Sequence, residues 1–319
     1  MNKSFRPEKW EDFLGQSYII NSLKIYTQAS VTNKKSLDNI LISGPSGMGK
    51  TSLAYLIAKV LKVKIHIING PNLAKPSDLI SIITAIKENE VLFIDEIHSV
   101  SKEILEVLYP VIEDSKISII IGKDYNSKIV DIKLPNFTIV CATTQVDRLA
   151  HPFINRFAIY FQLSDYTKQE LSQIVKMTAE KLNIDISYES QLIIANHCRN
   201  TPRIIINLIK RINDYYTTNQ INDFSPKSIY YVFRQMQIYE FGLYEKDFEY
   251  LKKLKEHKCL GVDYIGQMIN VPSATIINNI EPILIKEKLI TRTIKGRILT
   301  NKGIEYLNKN ILLKNTLNQ

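Results

Sequence analysis

Short apolar blocks alternating with helical patterns dominate the first half of the chain. Ile40 to Ser43, Lys64 to Ile68, Val91 to Asp95 and Thr138 to Ala142 are brief and apolar, the pattern of core strands. With helical stretches between them, they predict a parallel sheet with crossover helices up to about Leu163. One pair of runs breaks the rhythm. Ile117 to Ile121 and Ile129 to Leu134, joined by Gly122-Lys123-Asp124-Tyr125-Asn126-Ser127, predict a β-hairpin inserted into that domain. From Thr167 to about Gln237 the periodicity is helical, with helices expected over Glu170 to Leu182, Tyr188 to Cys198 and Pro202 to Tyr216. Phe241-Gly242-Leu243 marks a joint. Three further helices follow, Glu245 to His257, Asp263 to Ile269 and Ser273 to Lys286. A basic hairpin then runs from Leu289 to Ile294 and from Arg297 to Thr300, turning at Lys295-Gly296. Three helices and a two-stranded wing outline a winged helix. The expected organisation is α/β: a parallel-sheet domain over 1–163 with its hairpin at 117–134, a helical lid over 164–240 and a winged helix over 241–319.

Composition narrows the class without identifying it. At 319 residues the chain exceeds one typical domain, and 45% hydrophobic with 23% charged residues describes a globular protein. No apolar run is long enough to cross a bilayer, and Met1 to Trp10 is too polar for a signal peptide, so a cytoplasmic location is expected. Cys141, Cys198 and Cys259 lack metal-ligand spacing and read as reduced thiols. The net charge of +9 favours an anionic partner, and from Glu245 onward 13 Lys/Arg face 8 Asp/Glu. Heavy use of Ile, Asn and Lys is equally what an AT-rich genome produces, so bulk charge alone decides nothing.

The chemistry is concentrated at Gly44-Pro45-Ser46-Gly47-Met48-Gly49-Lys50-Thr51, which fits G-x-x-x-x-G-K-[ST] between a strand and a helix opening at Ser52. Such a turn aims backbone N–H groups and a helix N-terminus at one point, where polyphosphate oxygens sit. Lys50 would reach the β and γ phosphates of ATP, and Thr51 would hold Mg²⁺. Val91 to Glu96 is an apolar strand ending in two carboxylates. Asp95 is placed to hold Mg²⁺ through its water shell, and Glu96 to polarise the attacking water. Thr143 and Thr144 end another strand, where a hydroxyl can reach the γ-phosphate or the water, although β-branched residues also simply favour strands. Arg156, in Pro152-Phe153-Ile154-Asn155-Arg156-Phe157, could meet the γ-phosphate of a neighbouring subunit, and Arg203 heads a lid helix. Either arginine could equally be a solvated surface residue.

The order of parts resembles the RuvB family, AAA+ motors of Holliday junction branch migration. The residues that carry the resemblance are Arg6-Pro7, Phe13-Leu14-Gly15-Gln16, the phosphate loop, Asp95-Glu96-Ile97-His98, Leu108-Tyr109-Pro110 with Glu113-Asp114, Ile121-Gly122-Lys123, Ala142-Thr143-Thr144, Asn155-Arg156-Phe157 and Thr201-Pro202-Arg203. It extends from about Arg6 to the wing near Thr300. It implies an ATP hydrolase with Glu96 as catalytic glutamate, Thr144 as sensor 1, Arg156 as a finger acting in trans, and Arg203, after Pro202, as sensor 2. Phe13, Leu14 and Tyr166 would line the adenine site, Arg6 would also bind the nucleotide, and Gly44, Gly47, Met48, Gly49, Lys50, Thr51 and Ser52 would form the phosphate site. It further implies a ring of six subunits moving duplex DNA at four-way junctions. RuvA would dock on the hairpin at Ile119, Ile120 and Ile121, a RuvC-type resolvase would act nearby, and DNA would meet Arg292, Lys295 and Arg297 of the wing. Ser46, Gln145, Asn155, Ala158 and Ile294 depart from the family pattern, and none of them removes a group that performs chemistry. Two other readings compete. A clamp loader or replication initiator would share the ATPase core, but clamp loaders usually carry Ser-Arg-Cys where this chain has Asn155-Arg156-Phe157. A non-hydrolysing DNA-binding scaffold would not need Lys50, Thr51, Asp95, Glu96 and Arg156 together.

Overall fold

The computed structural model describes residues 5–121, 128–219 and 223–315, excluding the side chains of 119–121, 128, 129 and 311–315. Two compact units divide between Glu170 and Leu171.

In the first unit, α1 (Ser17–Asn33) precedes β1 (Ile40–Ser43) and α2 (Lys50–Leu61). Then come β2 (Ile65–Asn69), α3 (Pro76–Ile83), β3 (Val91–Asp95) and α4 (Lys102–Asp114). The hairpin β4 (Lys116–Ile121) and β5 (Lys128–Lys133) follows, and β6 (Thr138–Thr143), α5 (His151–Ile154) and β7 (Ile159–Gln162) complete the unit. The sheet is parallel throughout, in the order β2-β3-β6-β1-β7. β1 and β6 are buried along their whole length because their side chains are apolar or small on both faces. On α4, Ile104, Leu108, Val111 and Ile112 are buried at helical spacing and join Leu92, Ile94, Ile139 and Phe153 in one core. The order places β6 between β1 and β3. Residues at the carboxyl ends of these three strands therefore converge, which is where parallel α/β sheets hold ligands.

β4 and β5 pair in an antiparallel ladder, as the expected hairpin requires. Residues 122–127, expected to form its turn, lie outside the described residues. So do the side chains of Ile119, Ile120 and Ile121, expected to meet a partner.

In the second unit, α6 (Lys168–Lys181), most of which lies in it, leads into α7 (Tyr188–Asn196), α8 (Pro202–Asn219) and α9 (Pro226–Gln235). The hydroxyls of Ser187 and Ser225 cap α7 and α9. After the joint come α10 (Glu245–His257), β8 (Cys259–Leu260), α11 (Val262–Ile269) and α12 (Ser273–Thr275). A π-helical turn, Ile276–Ile280, then leads into α13 (Glu281–Lys286). β9 (Ile290–Thr293), β10 (Gly296–Leu299) and α14 (Asn301–Asn315) close the chain. The expected helix from Ser273 to Lys286 thus contains a wide turn. Gly296 belongs to β10, and the wing turns at Ile294-Lys295. Gly296 has φ +143°, and a Cβ there would stand 2.4 Å from the carbonyl oxygen of Leu260, so only glycine lets β10 pair closely with β8. No helix among the described residues is long and apolar enough to cross a membrane.

Candidate active site

The phosphate loop is built by three left-handed or extended glycines, Gly44, Gly47 and Gly49. At Gly49, φ +107°, a Cβ would lie 3.0 Å from the Phe13 ring, and at Gly44 one would lie 2.9 Å from Leu163 Cβ. Tyr166 is buried beneath the same loop, donates its hydroxyl to Met48 O at 3.0 Å, and packs its ring on Gly15. Gln16 ties this N-terminal segment to Ser164 by accepting from its backbone N–H at 3.0 Å and donating to its carbonyl at 2.7 Å. Phe13 and Tyr166 therefore both stand against the loop, with Leu14 half-buried beside Phe13. Arg6 lies 3.8 Å over the ring of Tyr55 on α2 and lines a cavity of about 290 Å³ there.

Lys50 opens α2 and is buried, with its ammonium donating to Gly44 O at 2.6 Å and Pro45 O at 3.0 Å. Burial lowers its pKa, while Glu96 and Asp95 oppose that shift. The ammonium is thus already held at the loop's mouth where phosphate oxygens would arrive. Thr51 Oγ1, in the first turn of α2, donates at 2.9 Å to Asp95 Oδ2 at the end of β3. One hydroxyl and one carboxylate side by side fit Mg²⁺, which keeps most of its ligands as water and phosphate oxygen. No group of three or more His, Cys, Asp or Glu able to hold a metal occurs among the described residues.

Glu96 follows with φ +52°, a left-handed conformation costing roughly 1–2 kcal/mol in a residue with a Cβ. Three features hold it there. Its backbone N–H donates to Asp95 Oδ1 at 3.1 Å, and its Oε2 accepts from both the N–H and the hydroxyl of Thr144, at 3.2 and 2.9 Å. Gly70 completes the arrangement, since a Cβ at that position would stand 2.5 Å from Glu96 O. Of the two expected threonines, the structure therefore separates the roles. Thr144 grips the Glu96 carboxylate, whereas Thr143 is fully buried, lies 3.0 Å from His98 Nδ1, and accepts the N–H of Gln145. His98 Nδ1 is also 3.3 Å from Glu96 Oε2. Gly70 and His98 were not singled out for roles from the sequence, because their importance lies in what they approach.

Arg156 stands just after α5. Its NH1 donates to Pro152 O at 2.6 Å, its guanidinium lies 4.2 Å over the ring of Tyr109, and Glu113 Oε1 is 2.9 Å from Nε. That last contact has the distance of an ion pair without hydrogen-bond alignment. Arg203, on the first turn of α8, is exposed.

On the hairpin, Ile117 and Ile132 stand directly opposite each other, and Val130 shares their face two residues along. Ile117 is buried at 1% exposure in the core, whereas Val130 and Ile132 are each 40% exposed. The apolar face thus starts in the core and runs out into solvent.

In the wing the three cations divide. Glu281 is fully buried and receives Arg292 Nε at 2.7 Å, Arg292 NH2 at 2.6 Å and Arg297 Nε at 2.8 Å, while Tyr250 donates its hydroxyl to Glu281 Oε1 at 2.9 Å. Burial alone would raise the Glu281 pKa, but Arg297, Tyr250 and Arg292 together hold it below the usual carboxylate range. The three residues expected at the DNA therefore differ in what they already hold within the protein. Arg297 is mostly buried, the Arg292 side chain is half-exposed, and Lys295 is exposed at the turn. Removing Arg297 would leave a buried, partly unpaired carboxylate, a loss of about 3–5 kcal/mol, so it would report on folding before it reported on DNA.

Comparison with known proteins agrees with this architecture along nearly the whole chain. Residues 5–163 match the family model described as the Holliday junction DNA helicase RuvB P-loop domain, 166–238 the RuvB AAA lid domain, and 240–308 the RuvB C-terminal winged helix domain. The Holliday junction branch migration complex subunit RuvB of Mycoplasmopsis synoviae is 40% identical over 311 residues, covering 97% of this chain and 98% of the relative. That of Mycoplasma genitalium is 39% identical over 302 residues, covering 94% and 97%. Among solved structures, the Thermotoga maritima RuvB Holliday junction branch migration motor superposes with a TM-score of 0.82 at 32% identity, covering 95% of this chain and 98% of that one. With its loop, paired carboxylates, lid and wing all matched in sequence order, the chain belongs to the RuvB family.

Proposed function

We propose that the protein is the ATP-hydrolysing motor subunit of a Holliday junction branch migration complex, converting turnover at the carboxyl ends of the inner strands into movement of duplex DNA in recombination and repair. The observation that carries this reading is the assembly of Lys50, Thr51, Asp95, Glu96 and Thr144 at three adjacent strand ends, in a chain that also carries a winged helix. Lys50 and the loop N–H groups would bind the phosphates of ATP. Glu96, fixed by Thr144, would orient and polarise the attacking water. Bound at Thr51 and Asp95, Mg²⁺ would neutralise charge on the β and γ phosphates. Arg156 would act across a subunit boundary in a ring, six-membered as the family resemblance implies, and Arg203 would read the nucleotide from the lid. The protein would work in the cytoplasm, with a RuvC-type resolvase as a further partner. The test is ATP-dependent migration of a synthetic four-way junction with and without RuvA. Hydrolysis without junction movement in both conditions would refute the reading.

Two interfaces belong to this reading. The exposed face of Val130 and Ile132 suits an apolar partner surface, and RuvA is the partner proposed for it. Val130→Ser with Ile132→Ser is expected to abolish RuvA-dependent stimulation while basal ATPase stays at the parent level. RuvA binding by that variant equal to the parent's, measured by calorimetry, would remove the hairpin from the interface. At the wing, Lys295 and the exposed half of Arg292 suit phosphate contacts, which position a protein without reading sequence, as travel along any duplex requires. Lys295→Ala is expected to weaken binding equally on unrelated duplexes and to lower the slope of log affinity against log salt by about 0.9. A sequence-selective loss would instead assign Lys295 to base contact.

A further inference from the structure

Arg199 stands at the end of the α7–α8 connection, four residues before Arg203, and every polar face of its guanidinium is committed to a different element. Nε donates to Gly242 O in the joint at 2.7 Å, NH1 donates to Asn279 O in the π-turn at 3.1 Å, and NH2 pairs with Asp247 on α10. The plane also lies 4.9 Å over the ring of Tyr244. Asp247 is 2% exposed and accepts the N–H of Tyr244 at 2.7 Å, so its charge is satisfied only while Arg199 stays in place. On the lid side, Arg199 and Asn200 both adopt positive φ, 49° and 54°, and Thr201 Oγ1 donates to Arg199 O at 3.0 Å. That strained corner is the segment leading directly into Arg203. The joint presses on it from the other side, because a Cβ at Gly242 would stand 2.8 Å from Arg199 Cγ and 2.8 Å from His197 O.

The site Arg199 selects on the DNA-binding side is informative. Asn279 lies in the wide turn just before Glu281, and Glu281 anchors both wing arginines. A π-turn displaces carbonyls from the regular i→i+4 ladder, and Arg199 donates to one of those in this turn. One side chain of the lid thus holds the joint, the first helix of the winged helix and the helix that carries the wing's anchor.

We propose that Arg199 is a positioning residue that transmits the nucleotide state read at Arg203 to the DNA-gripping wing, by making the lid and the winged helix turn as one lever. This rests on the motor function proposed above. The guanidinium of Arg199 is spent on protein groups. It acts through Asp247, Gly242 and Asn279.

The experiment uses the full-length protein with RuvA and a synthetic four-way junction, recording phosphate release and junction migration in the same reaction. Arg199→Lys keeps a cation for Asp247 but cannot reach three elements with a rigid fork. Arg199→Gln with Asp247→Asn removes both charges and so avoids stranding a buried carboxylate. In both variants thermal unfolding, ATP affinity and basal ATPase are expected to stay close to the parent. Migration per ATP hydrolysed is expected to fall about tenfold, within the 5–150-fold range of ordinary coupling between sites. Gly242→Ala, which pushes on the same corner from the joint, should reproduce the uncoupling. If Arg199 serves stability alone, Arg199→Lys will migrate junctions with the parent's yield per ATP, and the inference is overturned. It is also overturned if ATPase falls in step with migration, because Arg199 would then belong to hydrolysis. A parent that hydrolyses ATP without ever moving a junction would overturn the motor reading and this inference together. A parent that moves junctions, matched by Arg199→Lys, would overturn the inference only.

Discussion

Glu96→Gln is expected to bind ATP as tightly as the parent and to lose turnover by about 10²–10⁴-fold, the usual worth of a positioned general base. Glutamine preserves the shape of the side chain and can still accept from the hydroxyl and N–H of Thr144, so the left-handed backbone at residue 96 has no reason to relax. What it lacks is the negative charge that polarises water. Lys50→Ala should behave differently. Its ammonium stands at the mouth of the loop against Gly44 O and Pro45 O, and its loss should weaken nucleotide binding itself. Equilibrium binding of a fluorescent ATP analogue, set beside steady-state phosphate release, separates the two effects. Parental turnover in Glu96→Gln would take Glu96 out of the mechanism.

Arg156→Ala is expected to bind ATP near normally and to hydrolyse it about 10³–10⁵-fold more slowly, the range an arginine finger supplies by stabilising charge on the transferring phosphoryl group. The trans geometry predicts more than a loss. Mixed in equal amounts with Lys50→Ala protein, the inactive Arg156→Ala protein should regain activity, because roughly a quarter of boundaries in a randomly mixed ring would join an intact loop to an intact finger. Mixed rings demonstrated by crosslinking but devoid of hydrolysis would place Arg156 outside the intersubunit site. Tyr109 and Glu113 bear on this result, since they hold the guanidinium on its own subunit at 4.2 Å and 2.9 Å. Tyr109→Leu should therefore weaken hydrolysis less than Arg156→Ala and leave ATP affinity unchanged.

The parts of the molecule most legible in the sequence are those whose physics is local. The core strands read as apolar blocks because both of their faces are buried, and the phosphate loop read clearly because its chemistry demands glycines, lysine and threonine at fixed spacing. β7 escaped notice for the opposite reason. Ile159–Gln162 lies at the sheet edge and alternates buried with exposed positions over only four residues, too short a run to stand out. α9, with apolar Ile229, Val232 and Phe233 on one face and polar or tyrosine residues elsewhere, was likewise missed, as was α14 beyond the wing. The wide turn at Ile276–Ile280 has no residue signature at all, since it depends on how the two halves of that helix pack. Charged residues were the hardest to interpret. Lys50, Asp95 and Glu96 sit in motifs, but Arg199, Asp247 and Glu281 look like ordinary surface charges until the fold brings their partners to them. The ion pair of Arg297 was hidden for the same reason, because nothing in the order of residues reveals that a carboxylate sixteen positions earlier lies beneath it.

The three thiols differ sharply in reach, and this gives the protein an intrinsic reporter. Cys141 lies inside the sheet at 0% exposure and Cys198 is equally enclosed beside the lid corner, where burial pushes its thiol up to about 11; both are therefore poor nucleophiles in the native state. Cys259 is partly exposed, in the short strand against which the wing folds. A maleimide dye applied to the unmodified protein should consequently attach at the base of the wing, ready to follow that element during turnover. The same reagent in rising urea should count the other two sulfurs as their surroundings open, one in each compact unit, and so time the unfolding of each separately.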